Sequence, residues 1–346
     1  YFSDSTFTKV YDNSPNLDSG KNGVNIGATN AIGSNAYQGP SWYVSPDTSL
    51  SDFNGSSVKP FSRIYQALFF AEPKDSIILL DGGYFEKITL EKQNTILGSQ
   101  FLVNGDYSHA KNTVLFAQMN IKGSLDNSTL VSGLTFQNIN NGAIIVNEAA
   151  PVLENLILKD NFSPSGDGAG IKILNTDIDT VRINKVLLFN NKTDRYFGDA
   201  IYSSGANLVI DGITSTNNYP NESRELSAQL HFIESKVRII NSIIRSDRNF
   251  RSITLSGNNA TNNFKLYYSN VDSLTLSSFA HPTNSYLDPM FLDANSNDYN
   301  LKFGSPAIDS GDPKSSLDPD GTRRDLGALA FSLDDNIPPC CIYNKS

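Results

Sequence analysis

Short apolar segments recur along this chain at intervals of 22 to 30 residues. They occupy residues 131–136, 153–158, 183–188, 209–214 and 239–244. Each is a short run rich in Val, Ile and Leu, which is typical of a buried β-strand. Because self-similarity at such a period is the signature of a repeat protein, the chain is predicted to grow by stacking layers and not around one compact core.

A second strand family lies between these segments and often opens with Gly. Its members are residues 142–146, 168–173 and 198–202. Two or three strands in each repeat, separated by polar corners, predict an all-β chain folded as a right-handed parallel β-helix. In this solenoid each coil adds one strand to every face, and the inward side chains stack in ladders of Val, Ile and Leu.

Asparagines follow the first strand family at matching places, as Asn161, the pair at 190–191 and the pair at 217–218. Asn tolerates the left-handed conformation that a sharp corner needs, and its amide can bond to the amide of the next coil. A functional interpretation would make these side chains sugar contacts. We favour the structural interpretation, because such corners require these residues in any protein.

The open ends of a solenoid expose strand edges and apolar core, so they must be covered. Apolar residues after Pro60 fall on one helical face, and they predict a capping helix near residues 60–72. The β-helix is then expected to fill 42–285, an irregular closing cap 286–332, and a tail 333–346.

A closing block is written twice in the sequence. Residues 14–20 read SPNLDSG and are followed by IGA, and residues 305–311 read SPAIDSG and are followed by LGA. We therefore expect residues 1–41 to be the tail of a preceding unit, or a segment for self-association or for contact with a neighbouring β-helix unit.

Composition excludes several classes of function. Asp and Glu number 36 against 27 Lys and Arg, a net charge of −9, so the chain repels phosphate backbones and nucleic acid is not an expected partner. The 2 Cys, Cys340 and Cys341, are adjacent and give no disulfide framework. No apolar run reaches the roughly 20 residues of a membrane span. Few Cys, many Asn and an acidic balance favour an extracellular or cell-surface bacterial protein.

Two groups of motifs carry a family resemblance. The opening group lies at residues 43–46, 54–57, 59–61, 75–77 and 83–86, and the closing group at residues 288–291, 298–301, 305–311 and 318–328. With these motifs the chain resembles secreted right-handed parallel β-helix proteins of the pectate-lyase-like superfamily, with the closing domain typical of bacterial surface β-helix proteins. The resemblance implies the fold, but this family includes lyases, hydrolases, epimerases and adhesive proteins, so it does not settle the activity.

A polysaccharide lyase of this fold would need an Arg or Lys base beside carboxylates that hold Ca²⁺ against a uronate. The stretch from Asp194 to Glu234 supplies candidates. Arg195 or Arg224 would be the base, and the substrate or metal ligands would be Asp194, Asp199, Glu225 and Tyr196, with Lys159, Asp160, Asp167 and His231 near them. The alternative is that these are ordinary surface charges. Neither the paired aspartates and Gly-His-Gly of a polygalacturonase nor the Trp-Ile-Asp-His of a typical pectate lyase is present.

A second candidate for metal binding lies in the closing block. Asp312, Asp318, Asp320 and Asp325 surround Gly321 and resemble the start of a calcium loop, although the later bidentate Glu of an EF-hand is absent. Alternatively, the neighbouring arginines at 323 and 324 neutralise the carboxylates in a turn without metal.

Together these patterns favour an extracellular structural, adhesive or assembly-forming module that contacts glycans without catalysis and requires no cofactor. The alternative hypothesis is a Ca²⁺-dependent polysaccharide lyase or a related carbohydrate-active enzyme. A polysaccharide is the expected partner under both hypotheses.

Overall fold

The computed structural model describes residues 37–47, 53–194, 197–219, 228–246, 252–258, 260–272, 275 and 278–333. Parallel strands stack coil upon coil into a β-solenoid with three faces, and each coil gives one strand to each face. The parallel β-helix predicted from the repeat is confirmed.

The first face holds β1 (Ser41–Val44), β2 (Ser76–Leu79), β5 (Ile96–Ser99), β8 (Leu130–Ser132), β11 (Val152–Glu154), the ends of β14 (Ile171–Asn184) and β17 (Ile201–Asp211), β20 (Lys236–Ile240) and β23 (Phe264–Tyr267). The second face holds β3 (Gly82–Tyr84), β6 (Thr113–Leu115), β9 (Thr135–Gln137), β12 (Ile157–Lys159), β15 (Leu187–Phe189), β18 (Thr214–Thr216), β21 (Ile243–Arg245) and β24 (Asn270–Val271).

The third face holds β4 (Ile88–Leu90), β7 (Met119–Lys122), β10 (Ile144–Asn147), the starts of β14 and β17, β19 (Leu230–Ile233) and β22 (Ile253–Ser256). Because β14 and β17 run through the corner between the third and first faces, these two faces join into one 14-stranded sheet. A short parallel pair, β13 (Phe162–Ser163) and β16 (Lys192–Thr193), continues the turn that follows the second face.

The core consists of ladders of equivalent residues from successive coils. On the first face, one ladder contains Leu97, Val131, Leu153, Ile183 and Ile210, which are strand partners and fully buried. Neighbouring strands lie about 4.8 Å apart, so each apolar side chain packs on its equivalent in the next coil. The ladder follows the apolar segments of the sequence, except that the segment at 209–214 is shifted by one residue, since Ile183 pairs with Ile210.

The predicted capping helix is confirmed as α1 (Ile64–Phe70), whose Ile64 and Ala67 are buried in the core. Trp42 stacks on the rings of Phe61 and Phe70 at 5.9 and 5.7 Å, which joins the helix to the first strand. The helix begins later than predicted. The Glu86 carboxylate accepts a hydrogen bond from the backbone N–H of Ile64 at 2.7 Å. This N–H is at the first helical position and has no partner within the helix.

Two short helices, α2 (Phe101–Asn104) and α3 (Tyr107–Asn112), form an insertion between β5 and β6. The insertion lies against the outside of the second face, where Thr135 Oγ1 donates to the carbonyl of Ala110 at 2.7 Å. It covers part of the apolar outer surface of that face.

The chain after the last coil does two things. Phe279 packs on Phe264 at 4.7 Å and covers the end of the core. The closing segment, residues 288–331, then runs back along the outside of the second face, where the Ala328 amide donates to Thr214 Oγ1 at 2.9 Å. It contains the antiparallel hairpin of β25 (Phe291–Asp293) and β26 (Asp298–Leu301), joined through the 3₁₀ turn Ala294–Ser296.

Candidate functional site

The turn between the second and third faces, which we call the second corner, has the same backbone in successive coils. A left-handed residue with φ of 52 to 56° occupies each of four coils, as Asn138, Asp160, Asn190 and Asn217. Asn and Asp adopt this conformation at lower cost than other residues with a side chain. These four side chains lie at the outer edge of the corner.

The residues that follow the last three of these positions point inward and form a buried asparagine ladder. Asn161 Nδ2 donates to Asn191 Oδ1 at 2.9 Å, and Asn191 Nδ2 donates to Asn218 Oδ1 at 2.9 Å. The same oxygens accept backbone N–H groups of the preceding coil at 3.3 and 2.9 Å. The structural interpretation of the asparagine pairs is therefore confirmed for their inner members, whereas the outer members lie at the surface of the corner and bond to other side chains.

An open pocket of about 440 Å³ lies on this corner. Its described lining consists of Asp160, Asn161, Phe162, Asn190 and Lys192. β13 and β16 supply the ring and the ammonium group, and the two left-handed positions supply the carboxylate and the carboxamide. The Asn190 amide donates to Asp160 Oδ1 at 3.1 Å, so these two planar groups hold each other in place.

The closing segment reaches one residue of the pocket. Asn297, in the hairpin turn, lies 3.5 Å from the Asn190 amide. Tyr299 accepts from Asn217 Nδ2 at 3.2 Å and donates to Asn297 Oδ1 at 3.2 Å, and Tyr219 donates to Asn217 Oδ1 at 3.2 Å. A continuous row of amides, a carboxylate and phenols thus follows the corner from coil to coil.

Two lysines lie in or next to the pocket of this acidic protein. Lys192 lines it, and Lys159 ends the strand that leads into it. Among the described residues, neither lysine forms an ion pair, whereas Lys122 on the third face is bound to Glu91 at 2.8 Å. The pocket therefore presents one cation, one carboxylate and neutral amides to a ligand, and a second cation, Lys159, directly precedes the lining residue Asp160.

A second polar cluster, which we call the third-face cluster, lies on the outward side of the third face, after the loops that connect the second corner to this face. Lys172, Tyr202 and His231 are strand partners in successive coils, and the Lys172 ammonium lies 5.7 Å from the centre of the Tyr202 ring. Phe197 stacks on His231 at 4.7 Å.

Burial lowers the pKa of His231, opposed by the nearby Asp167 carboxylate, so its imidazole is neutral at pH 7. Its Nδ1 lies 2.5 Å from Thr254 Oγ1. Asp167 itself accepts the Phe197 N–H at 2.9 Å and thereby holds the ring that covers the histidine.

Asp199 lies inside the loop between the two surfaces and is fully buried. Its Oδ1 accepts both the N–H and the hydroxyl of Thr193, at 2.7 and 2.9 Å, while its Oδ2 has no hydrogen-bond partner among the described residues. Desolvation by burial raises the pKa of this carboxyl to about 7. The sequence pattern predicts Asp199 as a ligand of a substrate or metal, but its side chain is fully buried and faces the inside of the loop.

The structure separates the other predicted site residues. Asp160 lines the pocket with Lys192, whereas Asp167 and His231 belong to the third-face cluster. Glu234 lies at the far corner of the third face, with a φ of 47°, away from both surfaces. Four predicted residues, Arg195, Tyr196, Arg224 and Glu225, lie outside the described residues, and Asp194 is half-buried next to them. Their roles as base and ligands stay predictions.

The aspartates of the closing block bind backbone amides. Asp318 accepts the N–H of Asp325 at 2.6 Å, and Asp325 in turn accepts those of Asp309 and Phe331, each at 2.7 Å. Asp320 and Asp312 accept from Thr322 and Lys314, each at 2.9 Å.

Over the part of the chain that the structure describes, no group of three or more His, Cys, Asp or Glu side chains is arranged to hold a metal. Arg324 is buried and lies 3.7 Å from Asp211 of the solenoid, and Arg323 Nε donates to the carbonyl of Gly311 at 2.6 Å. Calcium binding at this turn stays a prediction.

Sequence reasoning missed Phe162 and Lys192 as pocket residues. A signal was available, because each follows the inner asparagine of its corner by one position. Lys172 was missed as well, although it follows the Gly-rich opening of its strand at the same place as Tyr202. These equivalences become visible only when the coils are aligned in register.

The chain belongs, by its strand topology, to the class of parallel β-solenoid proteins. No protein-family model matches the sequence, and no curated protein matches it. None of the described helices is long and apolar enough to cross a membrane.

Among solved structures, the chain is similar to pectate lyase Pel9A, with a TM-score of 0.38 and 15% identity over 86% of this chain and 98% of that chain. It is also similar to pectin methylesterase PemA from Erwinia chrysanthemi, with a TM-score of 0.36 and 12% identity over 75% of this chain and 95% of that one. A rhamnogalacturonan lyase gives a TM-score of 0.22 and 10% identity over 85% and 97%. Similarity at this level says nothing about activity, so a proposal on function must rest on the pocket itself.

Proposed function

We propose that this protein is an extracellular glycan-binding module that holds an acidic polysaccharide at the second corner without cleaving it. The observation that carries the proposal is the pocket, whose lining brings together Asp160, Asn190, Lys192 and Phe162. Its volume of about 440 Å³ falls in the usual range of small-molecule sites.

The chemistry of the lining suits a sugar. Carboxylate and carboxamide groups on a rigid backbone bind the hydroxyl groups of a sugar with well-defined geometry, and an aromatic ring packs on the apolar face of a pyranose. The asparagine ladder beneath fixes the backbone of the corner, so little ordering is needed when a ligand binds. Lys159 and Lys192 favour a glycan that carries carboxylates.

The described lining supports binding more than hydrolysis. It contains one carboxylate, Asp160, which is already bound to Asn190, whereas glycoside hydrolysis uses a pair of carboxyl groups on either side of the scissile bond. The extracellular location rests on composition, with many Asn, few Cys and an acidic balance.

The test is calorimetric titration of the protein with a panel of uronate-containing and neutral polysaccharides, followed by variants. Lys192→Gln should weaken binding of the best ligand about tenfold or more, because a hydrogen bond to a charged group contributes about 1.5–3 kcal/mol. Lys265→Gln, which changes an exposed lysine of β23 on the first face, is the matched control and should leave affinity unchanged.

Binding should also weaken as salt is raised from 50 to 500 mM, since exposed charges are screened over a distance of about 10 Å at 0.1 M. No binding to any glycan of the panel, or an equal loss in the Lys192 and Lys265 variants, would refute the proposal.

A polysaccharide lyase is the second candidate, and the third-face cluster is the observation in its favour. A neutral His231 beside Tyr202 and Lys172 could support proton abstraction next to a bound uronate. The test is the ultraviolet absorbance of unsaturated product on uronate polymers, with and without Ca²⁺. Product formed by the wild type and lost in Arg195→Ala would replace the binding module with the lyase.

A further inference from the structure

An open row of side chains leads away from the pocket along the outer edge of the second face. Tyr84, Leu115 and Phe136 are strand partners that point into the core. The residues that follow them, Phe85, Phe116 and Gln137, therefore point outward side by side, and Lys159 is the next member because it is the partner of Gln137. The row ends at Asp160 and Asn190 of the pocket.

The far end of this row is an aromatic pair formed by an exposed ring, Phe85, and a half-buried ring, Phe116. The rings of Phe85 and Phe116 stack with centres 4.9 Å apart and an interplanar angle of 12°. Phe85 directly follows β3, near the N-terminal end of the solenoid, and its side chain is 75% exposed. Both rings rest over Gly83, where a Cβ atom would come within 3.2 Å of Phe116, so the backbone leaves space for them to lie close to the sheet. The pair offers a flat apolar surface on which the apolar face of a sugar can pack.

The closing segment covers the row on the C-terminal side of the pocket. Towards the C-terminal coils, Asn297 meets Asn190, and Tyr299 packs on Phe189, the next member of the row, at 5.2 Å. Phe189 is buried under this contact. Along the row, a ligand longer than the pocket therefore extends towards Phe116 and Phe85, since the described residues of the closing segment cover the opposite side.

We infer that the glycan bound in the pocket extends parallel to the solenoid axis, one sugar to a coil, and that Phe85 and Phe116 form its distal subsite. From Phe85 to Asn190 there are four coil spacings of about 4.8 Å, about 19 Å in all. Each spacing is close to the length of one pyranose unit in a linear polysaccharide, so successive sugars meet equivalent positions of the row. The apolar faces of the distal sugars pack on the two rings. This inference rests on the proposed glycan-binding function and adds the length and the direction of the ligand.

The test compares a trisaccharide with an oligosaccharide of about five units of the same glycan, since four coil spacings with one sugar to a coil span five positions. The trisaccharide fits the pocket alone, and the longer chain reaches the aromatic pair. The longer chain should bind the wild type about tenfold more tightly, a difference of about 1.4 kcal/mol. The double variant Phe85→Ala, Phe116→Ala should lose that difference and keep its affinity for the trisaccharide.

Phe303→Ala is the matched control, because Phe303 is also 75% exposed and lies on the closing segment. It should bind both ligands as the wild type does. If the double variant is poorly folded by circular dichroism, Phe85→Ala alone gives the same comparison with an exposed ring.

Equal affinity of the wild type for both lengths, or an equal loss in the Phe85 and Phe303 variants, would overturn this inference while leaving the pocket as a binding site. Failure of the wild type to bind either ligand would overturn the proposed function and this inference together.

Discussion

Asp199 places an ionisable carboxyl where the folded protein cannot solvate it. Burial raises its pKa from 3.8 to about 7, and one of its oxygens has no partner among the described residues. Between these two pH values the unfolded chain has lost the proton and the folded chain retains it. Stability therefore falls as pH rises through this window, by about 1.4 kcal/mol for each pH unit and about 4 kcal/mol in total. Below 3.8 and above 7 the contribution of Asp199 does not change with pH.

The substitution Asp199→Asn should remove this pH dependence. The Asn oxygen can still accept from Thr193, but its NH₂ group takes the place of the unpartnered oxygen and costs about 1–3 kcal/mol. The variant should consequently be less stable than the wild type near pH 4 and more stable at pH 8. The difference between the two proteins should change by about 4 kcal/mol over that range.

The measurement is urea unfolding at intervals from pH 4 to pH 8.5, followed by both circular dichroism and tyrosine fluorescence to check that the transitions coincide. Asp160→Asn is the control, since Asp160 is exposed in the same loop region and Asn suits its left-handed backbone. A difference in free energy of unfolding between Asp199→Asn and wild type that stays constant with pH would show that the buried carboxyl ionises normally, and the reasoning would fail.

The remaining predictions concern the corner and the closing segment. Asn191→Ala removes the side-chain donor to two carbonyls and to Asn218, so chemical denaturation should show a loss of about 3–5 kcal/mol in the free energy of unfolding. Asn190→Ala changes the outer residue of the same pair and should lower the free energy of unfolding by only about 1 kcal/mol. Gly212→Ala places a Cβ 2.5 Å from the Arg324 guanidinium at a φ of 66°, so thermal unfolding should show a loss of at least about 1–2 kcal/mol, and an unchanged melting temperature would argue against the packing described. If the closing-block aspartates bind calcium, the melting temperature should rise with added Ca²⁺ and return with EDTA, and no response would count against that site.

The fold could be predicted from the sequence because its determinants are local and repeated. The segment at 153–158 reads LENLIL, and the later copies have apolar residues at most of the corresponding places. The copy taken as 209–214 lies one residue out of register, because Ile183 pairs with Ile210 and not with Val209, so the spacing predicts the coils but not the exact register of every ladder. The capping helix was also predictable from one apolar face, although its start depends on Glu86, which lies 22 residues further along the chain.

The pocket could be predicted only in part. The asparagine pairs are visible in the sequence, but a pair such as Asn190 and Asn191 does not show which member is buried until the corner geometry is known. The contact of the closing segment with Asn190 depends on Asn297, which is 107 residues away along the chain. Asp199 follows a glycine in a polar stretch, and that pattern indicates an exposed loop. Its burial comes from the stacking of neighbouring coils, which no local pattern encodes.

The path of the closing segment changes how the solenoid should lose its structure. In a simple repeat array each layer contacts only its two neighbours, so unfolding can proceed layer by layer from an end. Here the chain returns to Asn190, to Thr214 and to the carbonyl of Asn241, which belong to three successive coils. Because the closing segment binds all three coils, they should lose their contacts with it together. We therefore expect the C-terminal half of the solenoid to unfold as one cooperative unit. The N-terminal coils lack these contacts and can open one at a time.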